Sequence, residues 1–244
     1  MSRNFELLEQ LDKERRGAAA DYREERDLTT PAALRPNRGT RTYAELNKLV
    51  QRLFLSGPTP SRHVVFTGAG PGVGCTWICV HTTKVLCSQT AGSVCLVDTN
   101  TSSSSVREHF NLPNGPGFFE ALVQDGPIHA FTQKVGNNLW VVPADGSPAT
   151  AVVRSRQRVE ARLLELWRQF DYVLFDAPPA AGSSGSLTLA TLADGVVLVL
   201  KAGHTRRHAV RLVIEELEST RVKVLGTVLN QREYPIPDPI YKRL

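Results

Sequence analysis

The stretch His63-Val64-Val65-Phe66-Thr67-Gly68-Ala69-Gly70-Pro71-Gly72-Val73-Gly74-Cys75-Thr76-Trp77 decides the fold of this chain. A short β-branched run leads into a glycine-rich turn and then into a helical pattern. That arrangement aims backbone N–H groups and the positive end of a helix dipole at a phosphate. The phosphate-binding pattern is G-x-x-x-x-G-K-[ST], and the aligned residues are Ala69, Gly70, Pro71, Gly72, Val73, Gly74, Cys75 and Thr76. Gly74 and Thr76 keep their types, whereas a cysteine stands where the lysine belongs. Thr76 supplies the hydroxyl that such loops direct at Mg²⁺.

Working outward, strand and helix patterns alternate. Apolar runs at Val64 to Thr67, Val94 to Val97, Leu139 to Val142, Tyr172 to Phe175, Val196 to Leu200 and Val222 to Leu229 are rich in β-branched residues. Near-continuous runs of this kind suit strands covered on both faces of a parallel sheet. Helical stretches lie between them at Thr76 to Ser88, Val152 to Phe170 and Thr205 to Thr220. The expected fold is α/β, a three-layer doubly wound and mostly parallel sheet with ligands at the carboxyl ends of its strands. The serine run Ser102 to Ser105 and the stretch Gly182 to Ser186 read as loops at strand ends. Two strands end on acids, Asp98 in Leu96-Val97-Asp98-Thr99-Asn100 and Asp176 in Leu174-Phe175-Asp176-Ala177-Pro178. Carboxylates beside a phosphate loop are where a metal or an attacking hydroxyl needs them.

The 244 residues suffice for one large domain plus an arm, and 41% hydrophobic with 22% charged residues is ordinary for a soluble protein. No apolar run approaches the roughly 18 to 20 residues that cross a bilayer, and the N-terminus lacks a signal-peptide core, so a cytoplasmic location is expected. Cys75, Cys79, Cys87 and Cys95 match no zinc spacing and read as reduced thiols. Cys75, at a helix N-terminus, is expected to have a lowered pKa. The net charge of +5 is unevenly placed, with basic residues crowding two predicted helices, Arg154, Arg156, Arg158, Arg162 and Arg168 at one and Lys201, Arg206, Arg207 and Arg211 at the other. Interspersed glutamates make these read as solvated faces.

Residues 1–41 read as a helical arm and linker, 42–231 as the nucleotide-fold domain and 232–244 as an extended tail. In the arm, Asn4 to Arg16 is a charged helix. A second helix begins at Thr42, with Thr42-Tyr43-Ala44-Glu45 in the form of a capping box. Its apolar positions Leu46, Leu49, Val50, Leu53 and Phe54 should dock on the core.

The set P-G-V-G-x-T, L-V-D-T-N, D-Y-V-L-F-D-A-P-P, A-D-G-V-V-L-V-L and V-L-G-T-V-L-N resembles the cytoplasmic ATPase domain of bacterial tyrosine kinases of capsule and exopolysaccharide export. That family sits among the Min, Par and nitrogenase-iron-protein P-loop ATPases. The resemblance implies ATP or ADP with Mg as ligand, cradled by Gly70, Pro71, Gly72, Val73, Gly74, Cys75, Thr76 and Trp77. It implies Thr76, Asp98 and Asp176 near the metal, with the two acids catalytic, and Asn230 at the adenine. It also implies a membrane-anchored chain-length regulator as partner, peripheral attachment to the inner membrane face through it, and homo-oligomers. Tyr234 and Tyr241 stand where the family has its phosphoacceptor tail, held extended by alternating prolines. Glu45, Lys48 and Gln51 echo in part the family's ring-forming E-x-x-R-x-x-R.

The departures shape the functional expectation. Cys75 replaces the lysine, and Asn100 replaces the second acid of the family's D-x-D. A neutral thiol cannot place a charge against phosphate oxygens, and losing one preorganised charge commonly costs on the order of a hundredfold or more in rate. The sequence therefore reads as a degenerate member with a regulatory or scaffolding role. One alternative is an active kinase or ATPase with a substitute cation such as Lys201. Another is a Par- or Min-type positioning protein, against which the mixed charges and missing helix-turn-helix argue, as they do against nucleic acid.

Overall fold

The computed structural model describes residues 41–56, 59–101, 105–145, 156–181 and 184–232. The expected Asn4 to Arg16 helix, Arg154, Tyr234 and Tyr241 lie outside them. The first element, α1 (Arg41–Val50), runs into a π-helical turn, Gln51–Leu55. There follow β1 (His63–Gly68), α2 (Cys75–Gln89), β2 (Val94–Asp98), α3 (Ser105–His109) and α4 (Phe118–Val123). A 3₁₀ turn at Ile128–Phe131 leads to β3 (Gln133–Lys134) and β4 (Leu139–Val142). The chain continues through α5 (Arg156–Gln169), β5 (Tyr172–Asp176), α6 (Ser184–Leu192), β6 (Gly195–Lys201), α7 (Arg207–Ser219) and β7 (Val224–Asn230).

The seven strands form one sheet in the order β3-β4-β2-β5-β1-β6-β7. All pairings are parallel except β3 against β4, so the sheet is doubly wound as the sequence pattern requires. β1 and β2 are buried at every position, which is why their runs show no alternation. Two cores follow. One lies under α4, α5, α6 and α7 and includes Phe118, Leu163, Phe175 and Val213. The other lies under α1, α2 and α3 and includes Val50, Phe54, Phe66 and Leu86. Each fully buried side chain of this size contributes about 1.5–3 kcal/mol.

Some local expectations change. Helix α1 is already under way at Arg41, so Thr42 lies inside it rather than capping it, and the Glu45 carboxylate accepts from Lys48 Nζ at 2.9 Å. Docking itself holds, since Leu46, Val50, Leu53 and Phe54 are buried against the α2 side of the sheet. Ser184 to Ser186 and Ser105 are helical rather than loop residues. The reason at α6 is local: Ser186 Oγ donates to the carbonyl of Pro178 at 3.0 Å and ties the first turn to the end of β5.

The basic face of α5 is also more than a solvated surface. Arg162 is buried, and its guanidinium donates to the carbonyls of Ala121 and Gly126 at 2.6 Å, of Gln124 at 2.6 Å, and to both Glu165 oxygens at 3.0 Å. Arg158 donates to the carbonyls of Leu122 and Val123 at 3.1 and 2.9 Å. Two arginines thus satisfy the orphan carbonyls at the C-terminus of α4 and its following turn.

Candidate nucleotide site

The phosphate-type loop joins β1 to α2 at the carboxyl edge of the sheet. Gly72 and Gly74 adopt φ of +68° and +81°, left-handed conformations that glycine enters without strain. Gly74 is the residue before α2, and Ile78 N–H closes onto its carbonyl at 3.1 Å. The other end of the loop is pinned by Ala69 N–H donating to the Val199 carbonyl at 3.0 Å and by Ala180 N–H donating to the Gly68 carbonyl at 3.1 Å. Asn230, last residue of β7, donates from Nδ2 to the Val73 carbonyl at 2.9 Å. It packs so closely that a Cβ on Gly74 would lie 2.4 Å from that nitrogen. The structure thus brings the predicted loop residues and Asn230 together.

Asp98 and Asp176 are register partners on the neighbouring strands β2 and β5, and both are buried. Asp98 Oδ1 accepts from Asn100 N–H at 2.9 Å, a turn in which Asn100 serves the acid instead of adding a second one. Burial first, and then the charge of Asp176, pushes the Asp98 pKa up to about 8, against the N–H groups of Asn100 and Ala144 and the field of Arg107. Burial pushes Asp176 up to about 6. Neither Asp176 oxygen has a hydrogen-bond partner at bonding distance among the described residues; the Thr76 hydroxyl and Cys75 thiol approach it and hold the rise in check. A buried carboxylate of this kind is ordinarily satisfied by water or an ion.

Cys75 corrects the sequence expectation. Its thiol pKa is raised well above the ordinary value, because burial and the adjacent Asp176 charge outweigh the helix terminus. Cys79 and Cys95 are buried too, and all four cysteines are free. Trp77 is half-buried and stacks on His81 with ring centroids 3.8 Å apart, so the α2 packing occupies one of its faces. Lys201 ends β6 opposite Asn230. Among the described residues no cluster of three or more His, Cys, Asp or Glu side chains is arranged to hold a metal ion.

Three participants were not singled out from the sequence. Thr67 Oγ1 donates to the Pro178 carbonyl at 2.7 Å, and Thr99 donates from both N–H and Oγ1 to the Asp176 carbonyl at 2.9 Å, fixing the loops around the acids. Arg107 carries the cationic field that reaches Asp98 while its guanidinium donates to the carbonyls of Pro113, Gly115 and Ala144. Only Thr99 carried a sequence signal, its position just past a strand that ends on an acid; Thr67 lies within β1 and Arg107 within α3.

No protein-family model matches the chain. It is 26% identical over 218 residues to tyrosine-protein kinase YwqD of Bacillus subtilis (strain 168), covering 82% of this chain and 92% of YwqD. It is 29% identical over 175 residues to the tyrosine-kinase-type protein EpsB of Ralstonia nicotianae, covering 68% of this chain but 22% of EpsB. Its homologues are bacterial tyrosine-protein kinases. Among solved structures it is similar to the chimerical protein CapA2B2, with a TM-score of 0.74 at 19% identity over 81% of this chain and 88% of that one. It is also similar to a plasmid partition protein from Borrelia burgdorferi B31 bound to AMPPNP, with a TM-score of 0.60 at 17% identity over 75% and 80%. These likenesses show a P-loop NTPase-like fold. Among the described residues no helix is long and apolar enough to cross a membrane.

Proposed function

We propose that this chain is a degenerate nucleotide-binding relative of the bacterial tyrosine kinases, acting as a regulator or scaffold in capsule or exopolysaccharide assembly. The observation that carries the reading is Cys75, a buried and neutral thiol beside Asp176 where a cation belongs. The left-handed glycines, the Thr76 hydroxyl and the open Asp176 carboxylate fit ATP or ADP with Mg²⁺. In that fit the loop N–H groups would hold phosphate, and Thr76 and Asp176 would hold the metal, with Asp98 beside Asp176 on the neighbouring strand. Bound Mg²⁺ supplies the positive charge that draws both acids into their ionised forms. What the chain lacks is a preorganised charge on the transferred phosphoryl group. A membrane-anchored chain-length regulator remains the proposed partner.

Calorimetric titration with Mg-ATP and Mg-ADP, with Cys75→Lys alongside, tests this. The natural protein should bind nucleotide weakly, the lysine variant at least tenfold more tightly, and neither Tyr234 nor Tyr241 should acquire phosphate in the natural protein. Robust ATP-dependent phosphorylation of either tyrosine would overturn the reading in favour of an active kinase. Lys201 supports that second reading, because it pairs in register with Asn230, which itself touches the loop. An active kinase of this kind should lose turnover in Lys201→Ala.

A further inference from the structure

Helix α7 carries its charges against its own dipole. Its first half presents Arg207, His208 and Arg211, with Arg206 at the cap position, and its second half presents Glu215, Glu216 and Glu218, all exposed. A helix N-terminus behaves as about half a positive charge and the C-terminus as half a negative one. Each group therefore sits at the end that repels it, with no acid in the first turn and no base in the last. Arg221, just past the C-cap Thr220, is the nearest base beyond that end. Arg211 precedes Glu215 by four residues, the less favourable order for an intrahelical pair. Among the described residues none of these groups joins an ion pair.

Between the two halves lies Leu212, 51% exposed, while Val213 and Leu217 face the sheet. Helix α7 packs on β7, which carries another exposed apolar side chain, Leu229 at 55%. The outer edge of β7 has no strand partner among the described residues.

We propose that this face binds a second copy of the chain, α7 against α7 and antiparallel, about a two-fold axis near Leu212. The charge pattern selects the occupant. An acidic partner would answer the arginines and be repelled by the three glutamates, and a basic partner the reverse. A surface carrying the same pattern turned end for end answers both, which is what a two-fold axis supplies. It also opposes the two helix dipoles and lets Leu212 meet the partner's Leu212. Arg211 then faces the partner's Glu215, and the reciprocal pair forms across the axis. Thirteen residues of helix make a contact only about 20 Å long, so the neighbouring β7 edge with Leu229 completes the interface. The face lies across the sheet from α2, so association needs no nucleotide.

Sedimentation equilibrium of the full chain without nucleotide tests this. A concentration-dependent dimer is expected. Arg211→Glu or Glu215→Arg alone should weaken it on the order of a hundredfold, because symmetry applies each like-charge contact twice. Mixing the two single variants should restore a dimer between them, and the double variant should restore its own. Unchanged helical content and melting temperature would establish that each variant is folded. A chain that stays monomeric overturns the proposal. So does a dimer indifferent to the single changes, or one that mixing fails to rescue.

Discussion

Cys75, the adjacent Asp176 and its register partner Asp98 set the electrostatics of the candidate site. The missing lysine is legible in the sequence, but the direction of the Cys75 shift is not, because a helix terminus is a local feature and burial is a tertiary one. The same burial makes a pH prediction possible. In metal-free buffer, unfolded Asp98 titrates near its ordinary 3.8 and folded Asp98 near about 8. Between those values unfolding releases a proton, so the contribution to stability is full below the lower value, declines as pH rises and levels off above the upper one. Asp176 adds a smaller decline that ends near about 6. Asp98→Asn should flatten the profile, raising the melting temperature at pH 8 by several degrees and changing it little at pH 4. Thermal melts across that range check it; a fall at pH 8 would contradict the burial argument.

The strands were readable because β-branched runs buried on both sides leave little other choice, and all six predicted runs are strands. The short helices were not. α3 is five residues and α6 opens on serine and glycine, compositions that signal loops until tertiary contacts such as Ser186 to Pro178 hold them. Arginines on α5 likewise read as surface, because nothing in one helix reveals that the end of another lies beneath it. Arg162→Met keeps the length and apolar stem but abandons the carbonyls of Ala121, Gln124 and Gly126. The expected loss is about 3 kcal/mol in denaturant unfolding. Arg156→Met, which removes an exposed pair with Glu160, should cost under about 0.5 kcal/mol.

For the whole molecule, the sequence carried the class of sheet but not its order. The hydrophobic pattern does not say that β5 lies between β1 and β2, since any of these runs suits a central place. Position should nonetheless govern local stability. Amide hydrogen exchange should be slowest in β5, β1 and β2 and fastest in β3 and β7, where one edge is open among the described residues. Uniform exchange across the seven strands would contradict this. The same order has a consequence for a chain emerging from the ribosome. β1 and β2 leave early, yet the strand that joins them ends at Asp176, and the amide that braces Val73 belongs to Asn230, 157 residues further on. The glycine-rich loop is therefore made early and can be braced only after the 157 residues that separate Val73 from Asn230 have followed it. Until then, the nascent chain displays unpaired strand edges, the kind of surface on which folding intermediates aggregate.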